Sequence, residues 1–330
     1  MKISVPALTI VISASFPAIA DVGNGVFTPG SFSGDIALGS LSGKTKERVY
    51  DPDTGGHKNS QLNWKYNNAA IIKGSLSWDL IPWLSIGASG WTTIASSGGY
   101  MDDTDWLDES KNSWTDQSRH PDTRLNYANE FDLNVKGWLL NEPTYRFGIM
   151  AGYQESRYSF KASGGYFNYT DEDTGLHDIG TFPAGTTVIG YKQHFKMPYI
   201  GIVGNYRYER VEFGGSFKYS GWVRATDNDE QYLIDTTFRA NIKNQNFYSL
   251  VGNVGYYITP DTKIYLEGAW NRATNKKGSL SANDYGSGEK NSAENSSGIE
   301  SYSFMFSSYP SFIYPELDKQ RTSRPAFRPD

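Results

Sequence analysis

The sequence contains no cysteine and only four histidines in 330 residues. The first absence excludes a disulfide scaffold and a cysteine-ligated metal site, and the second leaves little room for a histidine-rich metal site. The 31 basic and 36 acidic residues give a formal net charge of −5, so no positive excess favours a nucleic-acid-binding protein. We therefore expect no metal, no cofactor and no nucleic-acid partner.

Long hydrophobic runs are also absent after residue 20. No later apolar stretch reaches the roughly 18 residues that a membrane-spanning helix needs, and the mean hydropathy of −0.55 is low for a helical membrane protein. The run from Val5 to Ile19 follows Lys2 and ends in small residues around position 20. This order predicts a secretory signal over residues 1–20. The alternative of a buried N-terminal helix is disfavoured by Pro6 and Pro17.

What the sequence does have is aromatic residues, at 15%, 34 glycines, and a repeated alternation of apolar and polar side chains. In residues 130–139, Phe131, Leu133 and Val135 share one face of an extended strand, whereas Asp132 and Lys136 share the other. The same period of two recurs in residues 70–80 and 264–271. A strand with one apolar face and one ionised face is half-buried, with water or polar groups on one side.

The connections between these segments distinguish a soluble sandwich from a membrane barrel. Short turns are predicted at residues 79–83, 141–143, 206–210 and 259–262, and longer polar loops at 51–60, 100–123, 167–186, 225–235 and 276–298. Short turns on one side and long loops on the other are typical of outer-membrane barrels. We predict an all-β fold, a ten-stranded antiparallel transmembrane β-barrel with long extracellular loops. Such a barrel is too narrow for a general pore, so function should lie at its rim.

Two acidic clusters are candidates for chemistry at that rim. Asp103 and Asp105 lie two residues apart at the end of a strand, so both carboxylates point the same way if the chain is extended. Two close like charges raise one pKa, and the pair can then share a proton and hold a water. Asp227, Asp229 and Gln231 alternate onto one side in the same manner. The spacing alone is also compatible with solvated loop carboxylates.

Several longer segments resemble the omptin family, the ten-stranded outer-membrane endopeptidases of enteric bacteria. The similar segments lie in collinear order between residues 33 and 304, at residues 41–50, 118–122, 126–130, 136–140, 151–157 and 218–222. The resemblance implies a barrel protease domain over residues 21–309. It also implies location in the cell outer membrane, with the active site on the extracellular side.

The resemblance assigns catalytic roles to both acidic clusters. Omptins use an Asp pair facing an Asp-His dyad, with a water between them as the nucleophile. The pair falls on Asp103 and Asp105, and the dyad Asp falls on Asp229. The family His falls on Gln231, because the motif Asn-Asp-Glu-His reads Asn-Asp-Glu-Gln here. Gln hydrogen-bonds a water but cannot accept its proton.

This replacement leaves three functional hypotheses. The first is an aspartic-type endopeptidase of reduced activity, in which the Asp pair is the remaining base. The second is a catalytically impaired adhesin or binding protein on the same scaffold. The third, a passive channel, is disfavoured by the small barrel. His120 is a further candidate base, although ordering of a loop is the favoured role for it.

The resemblance also implies partners. Cleavage beside basic residues, commonly between two of them, assigns Glu47 and Asp227 to a pocket for basic peptide or protein substrates. An ion pair of Glu47 with Lys44, Lys46 or Arg48 is the alternative. Lipopolysaccharide is the expected lipid partner, and its contacts fall on Tyr153, Glu155, Arg157, Lys243 and His194, where His194 replaces a family Arg.

The C-terminal segment departs from the family. Alternation continues from Ile299 to Tyr309, after which Pro310 and Pro315 interrupt it, and no terminal Phe follows. Because proline cannot donate into a strand ladder, we expect the barrel to close with residues 299–309. Residues 310–330 are then expected to form an irregular tail on the periplasmic side, and the missing Phe is expected to slow assembly.

Overall fold

The computed structural model describes residues 30–96 and 98–314. The predicted signal segment and the tail beyond residue 314 lie outside the described residues. Eleven strands account for most of the described chain: β1 (Phe32–Asp51), β2 (His57–Ile81), β3 (Leu84–Ala95), β4 (Gly99–Asp105), β5 (Asp116–Asn141), β6 (Tyr145–Thr170), β7 (His177–Tyr208), β8 (Val211–Gln231), β9 (Thr236–Thr259), β10 (Thr262–Asp284) and β11 (Lys290–Tyr314). Within the described residues, no helix is long and apolar enough to cross a membrane.

The strands form one closed antiparallel sheet. Strand β1 pairs with β2 on one side and with β11 on the other, which closes the ring. Strands β3 and β4 both lie between β2 and β5, so they are two pieces of one barrel strand. The break between them includes Gly98, whose φ of 78° suits glycine. The predicted ten-stranded barrel is confirmed.

The alternation in sequence corresponds to the two faces of the barrel wall. Leu133, Val135 and Leu266 are exposed on the outside, at 49%, 47% and 67%. Their neighbours Asp132 and Glu267 are buried inside. Large exposed apolar side chains on neighbouring strands form a continuous outer belt, as a lipid-facing wall requires.

Ion pairs fill the barrel interior near the short turns. Lys263 Nζ lies 2.8 Å from Glu212 Oε2, Lys218 Nζ lies 2.6 Å from Asp132 Oδ2, and Arg146 Nη1 lies 3.2 Å from Asp79 Oδ2. Tyr265 also donates to Glu212, at 2.8 Å. These paired charges therefore give this half of the barrel a polar interior, in which the same side chains line a cavity.

The four short turns lie where the sequence predicts them, but the predicted long loops are mostly strand. Strand β6 continues to Thr170, β7 begins at His177, and β8 extends to Gln231. The true connections at this end are residues 52–56, 106–115, 171–176, 232–235 and 285–289. Beyond the apolar belt both strand faces are polar, so the hydrophobic alternation disappears although the hydrogen-bonded ladder continues.

The last strand also differs from the prediction. Strand β11 continues through Pro310 to Tyr314, and Pro310 pairs with Ile264 of β10. The ladder to β1 passes from Leu38↔Ser308 to Asp35↔Ser311 and skips the proline position. Pro310 faces outward and is exposed. The predicted strand end at Tyr309 is therefore wrong, because a proline is tolerated where a ladder position is left open.

Candidate active site

An aromatic cluster inside the extracellular half of the barrel supports the site. Trp64 stacks on Tyr191, with ring centroids 5.2 Å apart, and Phe160 lies 5.5 Å from Trp64. None of these three side chains is more than 1% exposed. The cluster fills the barrel interior beneath and beside the acidic side chains of β4 and β8, so the groove above it has an apolar floor.

Strand β4 carries Asp103 and Asp105 on one wall of this groove. Asp103 lies between Leu62 of β2 and Ser118 of β5, and Ser60 Oγ donates to Asp103 Oδ1 at 3.2 Å. Burial, together with the neighbouring Asp105, raises the pKa of Asp103 well above its ordinary value. Burial raises the pKa of Asp105 to about 6. A carboxyl pair in this state shares protons at neutral pH.

Strand β8 carries Asp229 and Gln231 on the opposite wall. Gln231 Nε2 donates to Asp229 Oδ2 at 2.9 Å. The other oxygen, Oδ1, is buried and has no hydrogen-bond partner. Burial raises the pKa of Asp229 to about 7, and the charge of Asp227 adds to the effect. The amide thus holds Asp229 in place without offering a group that titrates.

Asp227 and Glu47 lie in the same groove, where the charges of Asp229, Asp227 and Asp103 act on Glu47. Asp227 accepts the Ala240 N–H at 2.7 Å and the Tyr191 hydroxyl at 3.2 Å, and burial raises its pKa to about 7. Glu47 is 1% exposed, and its Oε2 is buried without a partner. Burial, then the charge of Asp229, raises its pKa well above the ordinary value.

The alternative ion pair of Glu47 with its sequence neighbours is not formed. Lys46 and Arg48 point to the other face of β1 and bind Glu300, at 3.3 and 2.7 Å. Among the ion pairs of the described residues, none involves Glu47, Asp103, Asp105, Asp227 or Asp229. The fold therefore brings five carboxyl groups together without a cation of its own.

His120 lies inside the barrel wall next to the Asp pair. Its side chain has no exposed surface, its ring stacks on Phe182 at 5.3 Å, and Nδ1 lies 2.5 Å from the Gly164 carbonyl oxygen. Nε2 lies 2.9 Å from Ser118 Oγ. Burial, then the charges of Asp103 and Asp105, raises the pKa of Tyr169 of β6 to about 12.

Sequence reasoning missed Ser118 and Tyr169. Both lie in segments that were predicted to be loops, and in a loop the alternation of side chains has no meaning. Ser118 and His120 share a face of β5, and Ser118 pairs with Asp103 on one side and Phe167 on the other. The alternation of side chains therefore places Ser118 on the face of Asp103 only because β5 is already a strand at this point.

The predicted lipopolysaccharide contacts lie on the outer wall. Glu155 accepts hydrogen bonds from Tyr153 at 2.7 Å, from Arg157 at 3.1 Å and from His194 at 2.9 Å. Lys243 is exposed on β9, two strands away from His194. Lys196 and Arg224, which sequence reasoning missed, are exposed cross-strand neighbours on β7 and β8.

Comparison with known proteins gives consistent matches over most of the chain. The family model described as "Omptin family" matches residues 28–312. "Protease 7" of Escherichia coli (strain K12) is 61% identical over 282 residues, which cover 84% of this chain and 89% of that protein. "Outer membrane protease IcsP" of Shigella flexneri is 48% identical over 315 residues, which cover 95% of this chain and all of that protein.

A solved structure is also similar to this chain. The crystal structure of outer membrane protease OmpT from Escherichia coli superposes with a TM-score of 0.85 at 59% sequence identity. The match covers 87% of this chain and 98% of that chain.

Proposed function

The chain belongs to the omptin family, and from that membership we propose that it is a surface endopeptidase that cuts peptides and proteins at basic, preferably dibasic, sites. The protein is located in the cell outer membrane, because relatives of the chain are named outer membrane proteases. The carboxylate groove lies at the end of the barrel opposite the short turns, and it faces the extracellular side.

The observation that carries this proposal is the uncompensated acidic groove. Glu47 Oε2 and Asp229 Oδ1 are buried without partners, and an unpaired buried carboxylate is costly. A Lys or Arg side chain of a substrate supplies the missing charge and forms charge-assisted hydrogen bonds. A groove with several such carboxylates matches two adjacent basic residues of a substrate better than it matches a single basic residue.

The Asp pair supplies the place for the nucleophile. A water between Asp103 and Asp105 on β4 and Asp229 on β8 is polarised from both walls. In the family a His at the position of Gln231 takes its proton, a role worth about 10²- to 10⁴-fold. Gln231 donates to Asp229 and cannot accept that proton. The proton must pass to another group, so hydrolysis is slower than with His.

A second candidate function rests on the same hydrogen bond. Gln231 fills the dyad position with a neutral amide while the recognition carboxylates remain. A groove of this kind binds basic peptides whether or not it cuts them. The protein is then an omptin-like adhesin or binding protein whose catalysis is impaired.

Lipopolysaccharide is the proposed lipid partner. Arg157, Lys196, Arg224 and Lys243 form an outer cationic row around His194, in which Lys and Arg meet anionic headgroups at low cost. The His194 imidazole offers fewer donors than the guanidinium of the family Arg. Binding is therefore weaker at this point of the row.

The test is hydrolysis of a fluorogenic peptide with a central Arg-Arg bond by the purified chain, with and without lipopolysaccharide. A matched Ala-Ala peptide is the control. We expect slow cleavage of the Arg-Arg peptide alone, and only with lipopolysaccharide present. Binding of the Arg-Arg peptide without cleavage supports the binding protein instead. Equal treatment of both peptides contradicts the proposal.

A further inference from the structure

A second group of cations lies on the outer wall of the barrel, beyond the apolar belt. Strand β1 presents Leu38 to the outside, where it is 53% exposed. Lys44, Lys46 and Arg48 follow at even positions of the same strand, and they therefore share its outer face. Glu47, at an odd position, is buried inside the barrel. One outer face of β1 thus changes from apolar to cationic along its length.

The neighbouring strands add two more cations to this face. Lys65 of β2 pairs directly with Lys44. Arg272 of β10 pairs with Tyr302 of β11, and Tyr302 pairs with Lys44. Side chains of directly opposed residues lie on the same face of a sheet, so Lys65 and Arg272 also point outward. We call this set of five residues the β1 cationic patch: Lys44, Lys46, Arg48, Lys65 and Arg272.

One carboxylate is shared by three members of the patch. Glu300 of β11 lies 2.7 Å from Arg48, 3.3 Å from Lys46 and 3.4 Å from Arg272. A single negative charge does not neutralise three positive charges. This part of the patch therefore keeps a positive excess.

The two remaining cations of the patch face each other without an anion. In the part of the chain that the structure describes, neither Lys44 nor Lys65 takes part in an ion pair. Lys65 Nζ lies 5.2 Å from the centre of the uncharged Tyr100 ring. Asp102, on the same wall, accepts a hydrogen bond from Asn63 at 2.7 Å. Like charges directly opposite each other on adjacent strands are destabilising, and an anion bound between them removes that cost.

Aromatic side chains show that the patch lies at the level of the lipid headgroups. Tyr302 is the cross-strand partner of Lys44, and Phe304, which is 45% exposed, lies two residues nearer the apolar belt. Trp270 of β10 pairs with Phe304. Girdles of aromatic residues mark the two interfaces of an outer-membrane barrel. A soluble acidic protein is therefore a poorer match for the patch than an anionic lipid headgroup.

We propose that the β1 cationic patch binds the phosphate groups of a second lipopolysaccharide molecule, separate from the one at the outer cationic row. Lys and Arg at the membrane surface are stabilised by anionic headgroups. The positive excess of the patch selects a phosphorylated headgroup over an uncharged one. This lipid site goes beyond the proposed hydrolysis, because lipid binding requires no peptide and no proton acceptor.

The two lipid sites lie on opposite sides of the barrel. Lys196 and Arg224 lie on β7 and β8, in the middle of the outer cationic row. Strands β9, β10 and β11 separate β8 from β1. On the other side, the β3 and β4 pair, β5 and β6 separate β2 from β7. Lys44 and Lys65 are therefore three barrel strands away from Lys196 and Arg224 in either direction, so each site holds its own lipid.

The test is a count of bound lipids by native mass spectrometry of the purified full-length barrel. The probe is lipid A, the phosphorylated lipid anchor of lipopolysaccharide, and its dephosphorylated form is the comparison. We expect two lipid A molecules for each barrel, and affinity for the dephosphorylated form should be at least about tenfold lower. Combining Lys44→Gln with Lys65→Gln should remove one lipid, and combining Lys196→Gln with Arg224→Gln should remove the other. All four substitutions together should remove both lipids.

A matched control separates the patch from the net charge of the protein. Lys111→Gln combined with Lys290→Gln also removes two lysines, which are exposed near the extracellular ends of the strands. This control should keep both lipids. Heat-modifiable gel mobility shows whether each variant folds, and Lys44→Gln alone provides a second variant of the patch.

Each outcome supports or overturns the second lipid site. A single lipid on the native chain, or two on a folded variant that lacks Lys44 and Lys65, overturns it. Loss of a lipid from the Lys111→Gln and Lys290→Gln control shows a general charge effect and also overturns it. Equal affinity for dephosphorylated lipid A, or complete displacement of lipid A by millimolar inorganic phosphate, contradicts a phosphorylated lipid as the ligand. A native chain that holds two lipids but cuts no peptide keeps this site while the proposed hydrolysis fails.

Discussion

Restoring a histidine at position 231 is the most informative single substitution. The Gln231 amide donates to Asp229 Oδ2 at 2.9 Å, and an imidazole N–H at the same place makes the same hydrogen bond. Its second nitrogen then faces the groove and accepts the proton of the water. General-base catalysis contributes about 10²- to 10⁴-fold, or roughly 3 to 5 kcal/mol of activation free energy. We expect Gln231→His to raise kcat by that factor.

The assay is steady-state hydrolysis of the Arg-Arg peptide by the protein reconstituted with lipopolysaccharide. KM should change little, because Glu47 and Asp227 are unaltered. Gln231→Asn is the matched control, since it keeps an amide and adds no base. Equal rates for the native chain and Gln231→His would show that position 231 does not supply the base. An equal gain from Gln231→Asn would show that the effect is one of shape.

Four further tests concern other parts of the structure. Asp103→Asn or Asp105→Asn should abolish residual hydrolysis while peptide binding persists, as measured by tryptophan fluorescence; surviving activity would move the water elsewhere. Glu47→Gln or Asp227→Asn should weaken selection for basic residues by about 1 to 3 kcal/mol each in a peptide library, and an unchanged preference would place the pocket elsewhere. Burial raises the pKa values of Asp227 and Asp229 to about 7, so these groups are protonated below that pH. Affinity for an Arg-Arg peptide should therefore fall as the pH drops from about 8 to about 5.5, by up to about tenfold per pH unit for each linked carboxylate; a pH-independent affinity would contradict this assignment. Glu212→Ala should leave buried Lys263 unpaired and cost about 3 to 5 kcal/mol of stability. The temperature of heat-modifiable unfolding should therefore fall. Glu142→Ala, at an exposed position, should leave that temperature unchanged.

The lipid-facing part of the fold was predictable from sequence. Lipid outside and ion pairs inside force a strict alternation, which Leu133, Val135 and Asp132 follow. The tight turns could be located because two strongly alternating segments flank each of them. The end of the closing strand β11 could not be predicted in this way. The effect of Pro310 depends on whether the hydrogen-bonded ladder between β11 and β1 includes that residue.

The extracellular strands were not predictable by the same reasoning. Beyond the apolar belt, strands β5 and β6 place polar side chains on both faces, so the sequence around Ser118 and Tyr169 resembles that of a loop. Their proximity to Asp103 depends on three neighbouring strands and their register. Alternation could place Asp227, Asp229 and Gln231 on one side of β8. It could not show that Glu47 lacks a cation, because the direction of Lys46 and Arg48 is a property of the closed barrel.

The most direct measurement is mass-spectrometric mapping of the bonds that the native chain cuts. The substrate is one peptide that contains an Arg-Arg, an Arg-Ala, an Ala-Arg and an Ala-Ala bond, incubated with lipopolysaccharide and either the native chain or Asp103→Asn. We predict that the native chain produces fragments from slow cleavage at the Arg-Arg bond and that Asp103→Asn produces none. An intact peptide after prolonged incubation with the native chain, cleavage at the Ala-Ala bond, or equal cleavage by Asp103→Asn would contradict hydrolysis by this groove.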